Sequence, residues 1–227
     1  MDIDNFFIER GCGEPLLLLH GNGENSEYFK NQISEFSSKY HVYAIDTRGH
    51  GKTPRGNAPF TIVQFAEDLK CFMDEHNILR AHILGFSDGG NIALTFALKY
   101  PERVNRLILN GANLYPSGMK PSVLLPIILG YIAAGMFGGR NKSARCKREL
   151  LGLMVNEPHI SPSELNRLTV KTLVIAGKRD MIKARHTRLI AKSIPNSRLV
   201  FLDGDHFIAN KCPVEFNRSV MAFLQDK

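Results

Sequence analysis

Ser87 stands between Gly85 and Gly89 in the stretch His82-Ile83-Leu84-Gly85-Phe86-Ser87-Asp88-Gly89-Gly90-Asn91. Gly-x-Ser-x-Gly is the pattern of a serine presented on a sharp strand-to-helix turn, where its hydroxyl can act as a nucleophile. The glycines have a physical task there. A residue on such a turn takes strained backbone angles, and neighbours without Cβ let strand and helix approach closely. The turn also leaves backbone N–H groups at a helix N-terminus, a site suited to a developing oxyanion. Small residues collect in many ordinary turns, so the pattern needs partners elsewhere in the chain.

A serine hydroxyl is a weak nucleophile at neutral pH and needs a base that is itself oriented. Of eight histidines, His206 in Asp203-Gly204-Asp205-His206-Phe207 follows the last strand-like run, Leu199 to Leu202, and falls on the same rim as Ser87. His20 and His50 also fall on that rim, but within turns, where ring nitrogens brace loops. His41, His76, His82, His159 and His186 read as surface or structural side chains. For the orienting carboxylate, Asp180 follows the run Leu173-Val174-Ile175 in Ala176-Gly177-Lys178-Arg179-Asp180. Asp203 and Asp205 are rivals, though too near His206 to occupy a separate loop. The order Ser87, Asp180, His206 is nucleophile, acid, base. Two N–H donors must converge on the oxyanion. The backbone N–H of Asp88 is one, and that of Asn22 in His20-Gly21-Asn22-Gly23 is the second candidate.

These residues need strand ends to hold them. Leu16 to Leu19 and Val42 to Ile45 are continuous apolar runs, expected of strands buried on both faces of a parallel sheet. Phe6-Phe7-Ile8 and Leu107-Ile108-Leu109 add shorter strands. Between them lie helical patterns at 26–38, at 88–99 up to Pro101, at 184–194 and at 213–224. Thr61 with Gln64 reads as a capping box, and Phe60 with Phe65 as its hydrophobic staple. Strands alternating with helices predict an α/β fold with a mostly parallel central sheet flanked by helices. Ligands of such sheets bind at the carboxyl ends of strands, where every polar, glycine-rich loop noted above falls.

The rhythm breaks between Leu114 and Thr169, which hold helical patterns and no strand pattern. Pro126 suits the first position of one helix, Ser143 the cap of another, and Ser161-Pro162-Ser163-Glu164 is a capping box with proline at the first helical turn. The expected organisation is a core over 1–113, a short helical lid over 114–169 and the rest of the core over 170–227. Leu124, Ile128, Ile132 and Met136 form an apolar stripe in the lid; either it shapes a substrate pocket or it packs the lid on the core.

Composition excludes several classes. A hydrophobic content of 44% over 227 residues supports one sizeable core rather than disorder. The start, Met1-Asp2-Ile3-Asp4-Asn5, lacks the basic and apolar segments of a signal peptide. The apolar run Val123 to Phe137 is too short to span a bilayer. Cys12, Cys71, Cys146 and Cys212 are scattered, as reduced cytoplasmic thiols are, and offer no metal site. The net charge of +7 is uneven: residues 1–114 carry 11 basic and 14 acidic side chains, 115–170 carry 7 and 3, and 171–227 carry 11 and 5. The densest run, Arg140 to Arg148, reads as a solvated helix face. Without interleaved aromatics or a recognised motif it does not indicate nucleic acid, but an anionic substrate or lipid surface would suit it.

Taken together, His20-Gly21-Asn22-Gly23, Asp46-x-Arg48-Gly49-His50-Gly51, Gly85-Phe86-Ser87-Asp88-Gly89-Gly90, Gly177-x-x-Asp180 and Gly204-x-His206 resemble the α/β-hydrolase superfamily over nearly the whole chain. Ser87-Asp88-Gly89-Gly90 with Leu109-Asn110-Gly111-Ala112-Asn113 is similar to its branch of valacyclovir hydrolase and bacterial carboxylesterases. The resemblance implies Ser87 as nucleophile, Asp180 as acid and His206 as base, with no cofactor. It implies a serine hydrolase acting on a small carboxylic ester. A thioesterase, lysophospholipase or amidase would use the same groups, and a binding protein on a hydrolase scaffold would have lost one of them. Asp88 has two readings: a helix-start carboxylate bonded locally, or a receptor for the ammonium of an aminoacyl ester. The N-terminal strands look trimmed, so fewer than eight are expected.

Overall fold

The computed structural model describes residues 2–137 and 142–226; Arg140 and Asn141, at the start of the basic run, lie outside them. The strands are β1 (Phe7–Arg10), β2 (Glu14–Leu19), β3 (Tyr40–Ile45), β4 (Ala81–Phe86), β5 (Val104–Asn110), β6 (Lys171–Gly177) and β7 (Ser197–Leu202). The helices are α1 (Lys30–Phe36), α2 (Ile62–Glu75), α3 (Asp88–Lys99), α4 (Pro121–Phe137), α5 (Lys142–Asn156), α6 (Pro162–Leu165), α7 (Ala184–Ser193), α8 (Ile208–Lys211) and α9 (Pro213–Gln225). The strands form one seven-stranded sheet in the order β1-β3-β2-β4-β5-β6-β7. It is parallel throughout except for β1, which runs antiparallel to β3.

The apolar strand runs bury both faces, as their lack of alternation requires. Leu17, Leu19, Ile83, Leu107, Leu109 and Val174 face α2, α3 and α7, while Leu16, Leu18, Leu84, Ile108, Leu173 and Ile175 face α1, α8 and α9. Each fully buried leucine of β2 contributes roughly 1.5–3 kcal/mol. The parallel strands therefore all send their carboxyl ends to one rim.

Helix starts follow local chemistry with three corrections. Thr61 accepts from the Gln64 backbone N–H at 3.1 Å, and Phe60 and Phe65 meet edge-to-face at 4.9 Å. The Gln64 side chain, however, turns forward to Asp68 at 3.0 Å, so the reciprocal half of that capping box is absent. Ser161 and Glu164 do form both halves of theirs. Pro126 does not begin a helix; it lies inside α4, which starts at Pro121. A helix apolar on all sides carries no periodicity to mark its start, so the second proline was the misleading signal. Likewise α5 begins at Lys142, one residue before Ser143.

Between β5 and β6 the described residues hold α4, α5 and α6 and no strand, apart from one bridge between Met119 and Ile182. α5 ties this insertion to the core: Leu153 is buried in the core cluster and Glu149 pairs with Arg55 at 2.7 Å. α4 packs chiefly on α5. Among the described residues, no helix is long and apolar enough to cross a membrane.

Candidate active site

Ser87 joins β4 to α3 with φ 53° and ψ −120°. A non-glycine residue in that region stores roughly 1–3 kcal/mol of strain and persists only where its surroundings over-determine it. Here they do. The Ser87 N–H donates to Asn110 O at 2.8 Å, fixing the turn to the end of β5. A Cβ on Gly85 would lie 2.1 Å from Gly89 O, and one on Gly89 would lie 2.1 Å from Leu19 O. Both glycines are required by backbone-on-backbone contact.

The loop after β7 brings His206 to this serine, its Nε2 3.0 Å from Ser87 Oγ. Its Nδ1 lies 2.7 Å from Asp180 Oδ1, on the loop after β6. With Nδ1–H donating to that carboxylate, Nε2 is left to accept the serine proton. Asp180 Oδ1 also accepts from the Ile182 N–H at 2.8 Å. His206 and Asp180 are both buried. The rival carboxylates face elsewhere: Asp203 pairs with Lys178 at 3.1 Å, and Asp205 accepts from the Phe207 N–H and pairs with Lys211. The imidazole is confined by Phe86 at 4.8 Å and Phe207 at 5.5 Å. Gly111, at φ +64°, closes the remaining side; a Cβ there would lie 2.7 Å from the imidazole Cε1.

The loop after β2 faces the elbow. Among the described residues, neither the Asn22 nor the Asp88 backbone N–H has a protein acceptor. The Asn22 side chain donates to Asp88 Oδ2 at 2.9 Å and to Leu150 O of α5 at 2.8 Å. Asp88 Oδ1 accepts from Asn91 Nδ2 at 3.2 Å. Burial pushes the Asp88 carboxyl up from its usual range, opposed by those two amide bonds. Behind this loop, His20 accepts at Nε2 from the Thr47 N–H at 3.0 Å and donates from Nδ1 to Gly21 O at 2.8 Å. Burial, helped by the neighbouring His50, lowers its pKa to about 4, so it is a neutral brace.

Two residues near the site carry no sequence motif. Glu24 accepts from the Gly21 N–H at 3.3 Å. Burial pushes its carboxyl up to about 7, against the pull of that N–H and of nearby His206. Tyr28 stacks flat on Phe86 at 4.4 Å, and its buried hydroxyl has no partner among the described residues. Only their closeness in sequence to His20-Gly21-Asn22-Gly23 could have flagged them.

The lid stripe divides. Leu124 and Ile128 are half-buried, but Ile132 is 54% and Met136 77% exposed. Those two point to solvent, because α4 leans on α5 and it is α5 that bonds to the core. Among the described residues, no cluster of three or more His, Cys, Asp or Glu could hold a metal ion.

A serine, an imidazole and a carboxylate in one hydrogen-bonded line have the chemistry to attack a carbonyl carbon. Comparison with known proteins agrees with such a scaffold. Over 98% of its length the chain is 28% identical to a protein of Azorhizobium caulinodans with the provisional name carbamate hydrolase RutD, covering 95% of that protein. Over 92% of its length it is 25% identical to 3-oxoadipate enol-lactonase 2 of Acinetobacter baylyi, covering 88% of it. A crystal structure of a hydrolase from Pseudomonas aeruginosa superposes with a TM-score of 0.80 at 26% identity, over 97% of this chain and 94% of that one. The family model described as alpha/beta hydrolase fold matches residues 14–159, well over half of the chain. With this sheet order and this elbow, the chain belongs to the alpha/beta hydrolase fold family.

Proposed function

We propose that the protein is a cofactor-independent serine hydrolase that cleaves a small carboxylic ester through an acyl-enzyme. The unbroken line from Ser87 Oγ through His206 to Asp180 carries this reading. Ser87 attacks the carbonyl carbon while His206 Nε2 takes its proton. The N–H groups of Asn22 and Asp88 receive the oxyanion, each worth roughly 2.7–4 kcal/mol in the transition state. His206 then protonates the leaving alcohol, and the acyl group stays on Ser87. Water repeats the attack with His206 again as base, which releases the acid and restores the serine. Asp180 holds the imidazole tautomer and stabilises its positive charge. Relatives with names for carbamate and enol-lactone hydrolysis also point to a small substrate with a carbonyl group, which supports a compact acyl substrate.

Residues 114–169 serve as the lid that selects this substrate, with Leu124 and Ile128 as its apolar contacts. Asp88 is read as a structural carboxylate. Both its oxygens already accept from Asn22 and Asn91, which leaves little for a substrate ammonium. N-acetylation of an aminoacyl ester should therefore change kcat/KM alike in wild type and Asp88→Asn. The four free thiols support a reducing, cytoplasmic setting.

The test is a panel of p-nitrophenyl esters of rising acyl length, run beside Ser87→Ala. The reading expects turnover of short-to-medium chains that Ser87→Ala abolishes. Best rates on sixteen-carbon chains would overturn the compact substrate, and turnover unchanged in Ser87→Ala would overturn the nucleophile.

A further inference from the structure

α4 spans 17 residues without one charged side chain. One flank lies against α5, where Gly130 sits over Leu151 and Gly135 over Arg148. The opposite flank is bare. Leu125, Leu129, Ile132 and Met136 are 59%, 60%, 54% and 77% exposed. Their spacing of i, i+4, i+7 and i+11 puts all four on one stripe, about 16 Å long. Together they present roughly 500 Å² of apolar surface, at the upper end of what a monomer exposes in one patch.

The surroundings of the stripe carry positive charge. Arg145, Lys147 and Arg148 are exposed on α5, and Lys120 precedes the first turn of α4. Glu149, the acidic residue among them, is engaged by Arg55 at 2.7 Å. An uncharged helix beside a basic one divides between two elements the apolar and cationic faces of an interfacial helix.

We infer that α4 and α5 form a docking surface for an anionic lipid bilayer. The Leu125–Met136 stripe enters the headgroup boundary, and Lys120, Arg145, Lys147 and Arg148 meet lipid phosphates and carboxylates. A second copy of the chain fits the surface less well. Pairing two lids would bring like charges together, and the stripe falls short of the roughly 800 Å² per partner that a stable interface buries. The docking is peripheral, since α4 is too short to span.

The test is sedimentation of the purified protein with vesicles of phosphatidylcholine alone and of phosphatidylcholine with phosphatidylserine. Anionic vesicles should bind at least about tenfold more protein than neutral ones, and salt should reverse this, as expected for several cations each favoured near an anionic surface. Leu125→Glu/Leu129→Glu should keep the circular dichroism of the wild type and its turnover of a soluble ester, but lose vesicle binding. Arg145→Glu/Lys147→Glu should lose the preference for phosphatidylserine. Wild-type protein left in the supernatant with anionic vesicles would overturn the inference, as would full binding by Leu125→Glu/Leu129→Glu. A wild-type dimer that this variant makes monomeric would reassign the stripe to a second copy. The vesicle readout does not depend on catalysis, so it stands apart from the test of Ser87.

Discussion

The glycines divide the molecule into two regions. On the rim, a Cβ on Gly85, Gly89 or Gly177 would lie 2.1 Å from a backbone oxygen, that of Gly89, Leu19 or Asp205 respectively. In the insertion, a Cβ on Gly130 would meet the end of Leu151 at 3.2 Å, and one on Gly135 the end of Arg148 at 3.3 Å. Backbone pressed on backbone cannot yield without moving a strand, whereas the end of a flexible side chain can swing aside. The rim is therefore rigid, and the packing of the insertion is adjustable. A family can keep the first and vary the second, changing substrate without disturbing the chemistry.

The sharpest prediction of this contrast concerns Asp180. Asp180→Asn keeps the shape but permits the wrong imidazole tautomer, and kcat on a soluble ester should fall by about 10⁴-fold. Asp203→Asn, on the exposed carboxylate paired with Lys178, should stay within about twofold of wild type, since surface pairs contribute little. Equal losses would dissolve the assignment of the acid.

Next is Gly111→Ala. The added methyl must displace the His206 ring, and φ +64° disfavours any side chain. Misplacing a catalytic group by about 1 Å costs on the order of 10²-fold, so kcat should drop that far while circular dichroism stays native. Wild-type turnover would show that the rim is softer than its contacts imply.

Asn22→Ala probes the seam between the two regions. It keeps the backbone N–H and deletes the side-chain bonds to Asp88 Oδ2 and Leu150 O. With roughly 1 kcal/mol net for each of two bonds, kcat/KM should fall by up to about thirtyfold, and the 114–169 insertion should be proteolysed faster. A loss confined to kcat with unchanged proteolysis would mean that Asn22 serves the oxyanion alone.

Gly130→Ala should have the smallest effect. An interior helical glycine costs up to about 1 kcal/mol relative to alanine, so denaturant midpoints should hold or rise slightly, and kcat/KM should stay within about twofold. A large loss of activity would place α4 in the rigid region.

Sequence pattern reveals the rim well because its constraints are local. Gly85, Ser87 and Gly89 fall within five residues, and the apolar runs ending near Asp180 and His206 announce parallel strands. The seam is nearly illegible. Asn22 and Leu150 are 128 residues apart, Arg48 meets Asp2 and Asp68 at separations of 46 and 20, and no periodicity links any of them. The Leu124–Met136 spacing announces a stripe but not which side of the helix faces the core. That depends on α5, which leaves Ile132 and Met136 in solvent. Gln64 shows the same limit at short range: its spacing from Thr61 suits a capping box, yet Asp68 one turn further on captures the side chain.

The central claim is that Ser87 is the nucleophile, held ready by His206. Intact-mass measurement after exposure to a fluorophosphonate tests it most directly. The wild type should carry one adduct per chain, mapped to Ser87, and Ser87→Ala none; that variant should also have lost ester hydrolysis while keeping its native circular dichroism. Stoichiometric labelling of Ser87→Ala, or hydrolysis by it at the wild-type rate, would remove Ser87 as the proposed nucleophile.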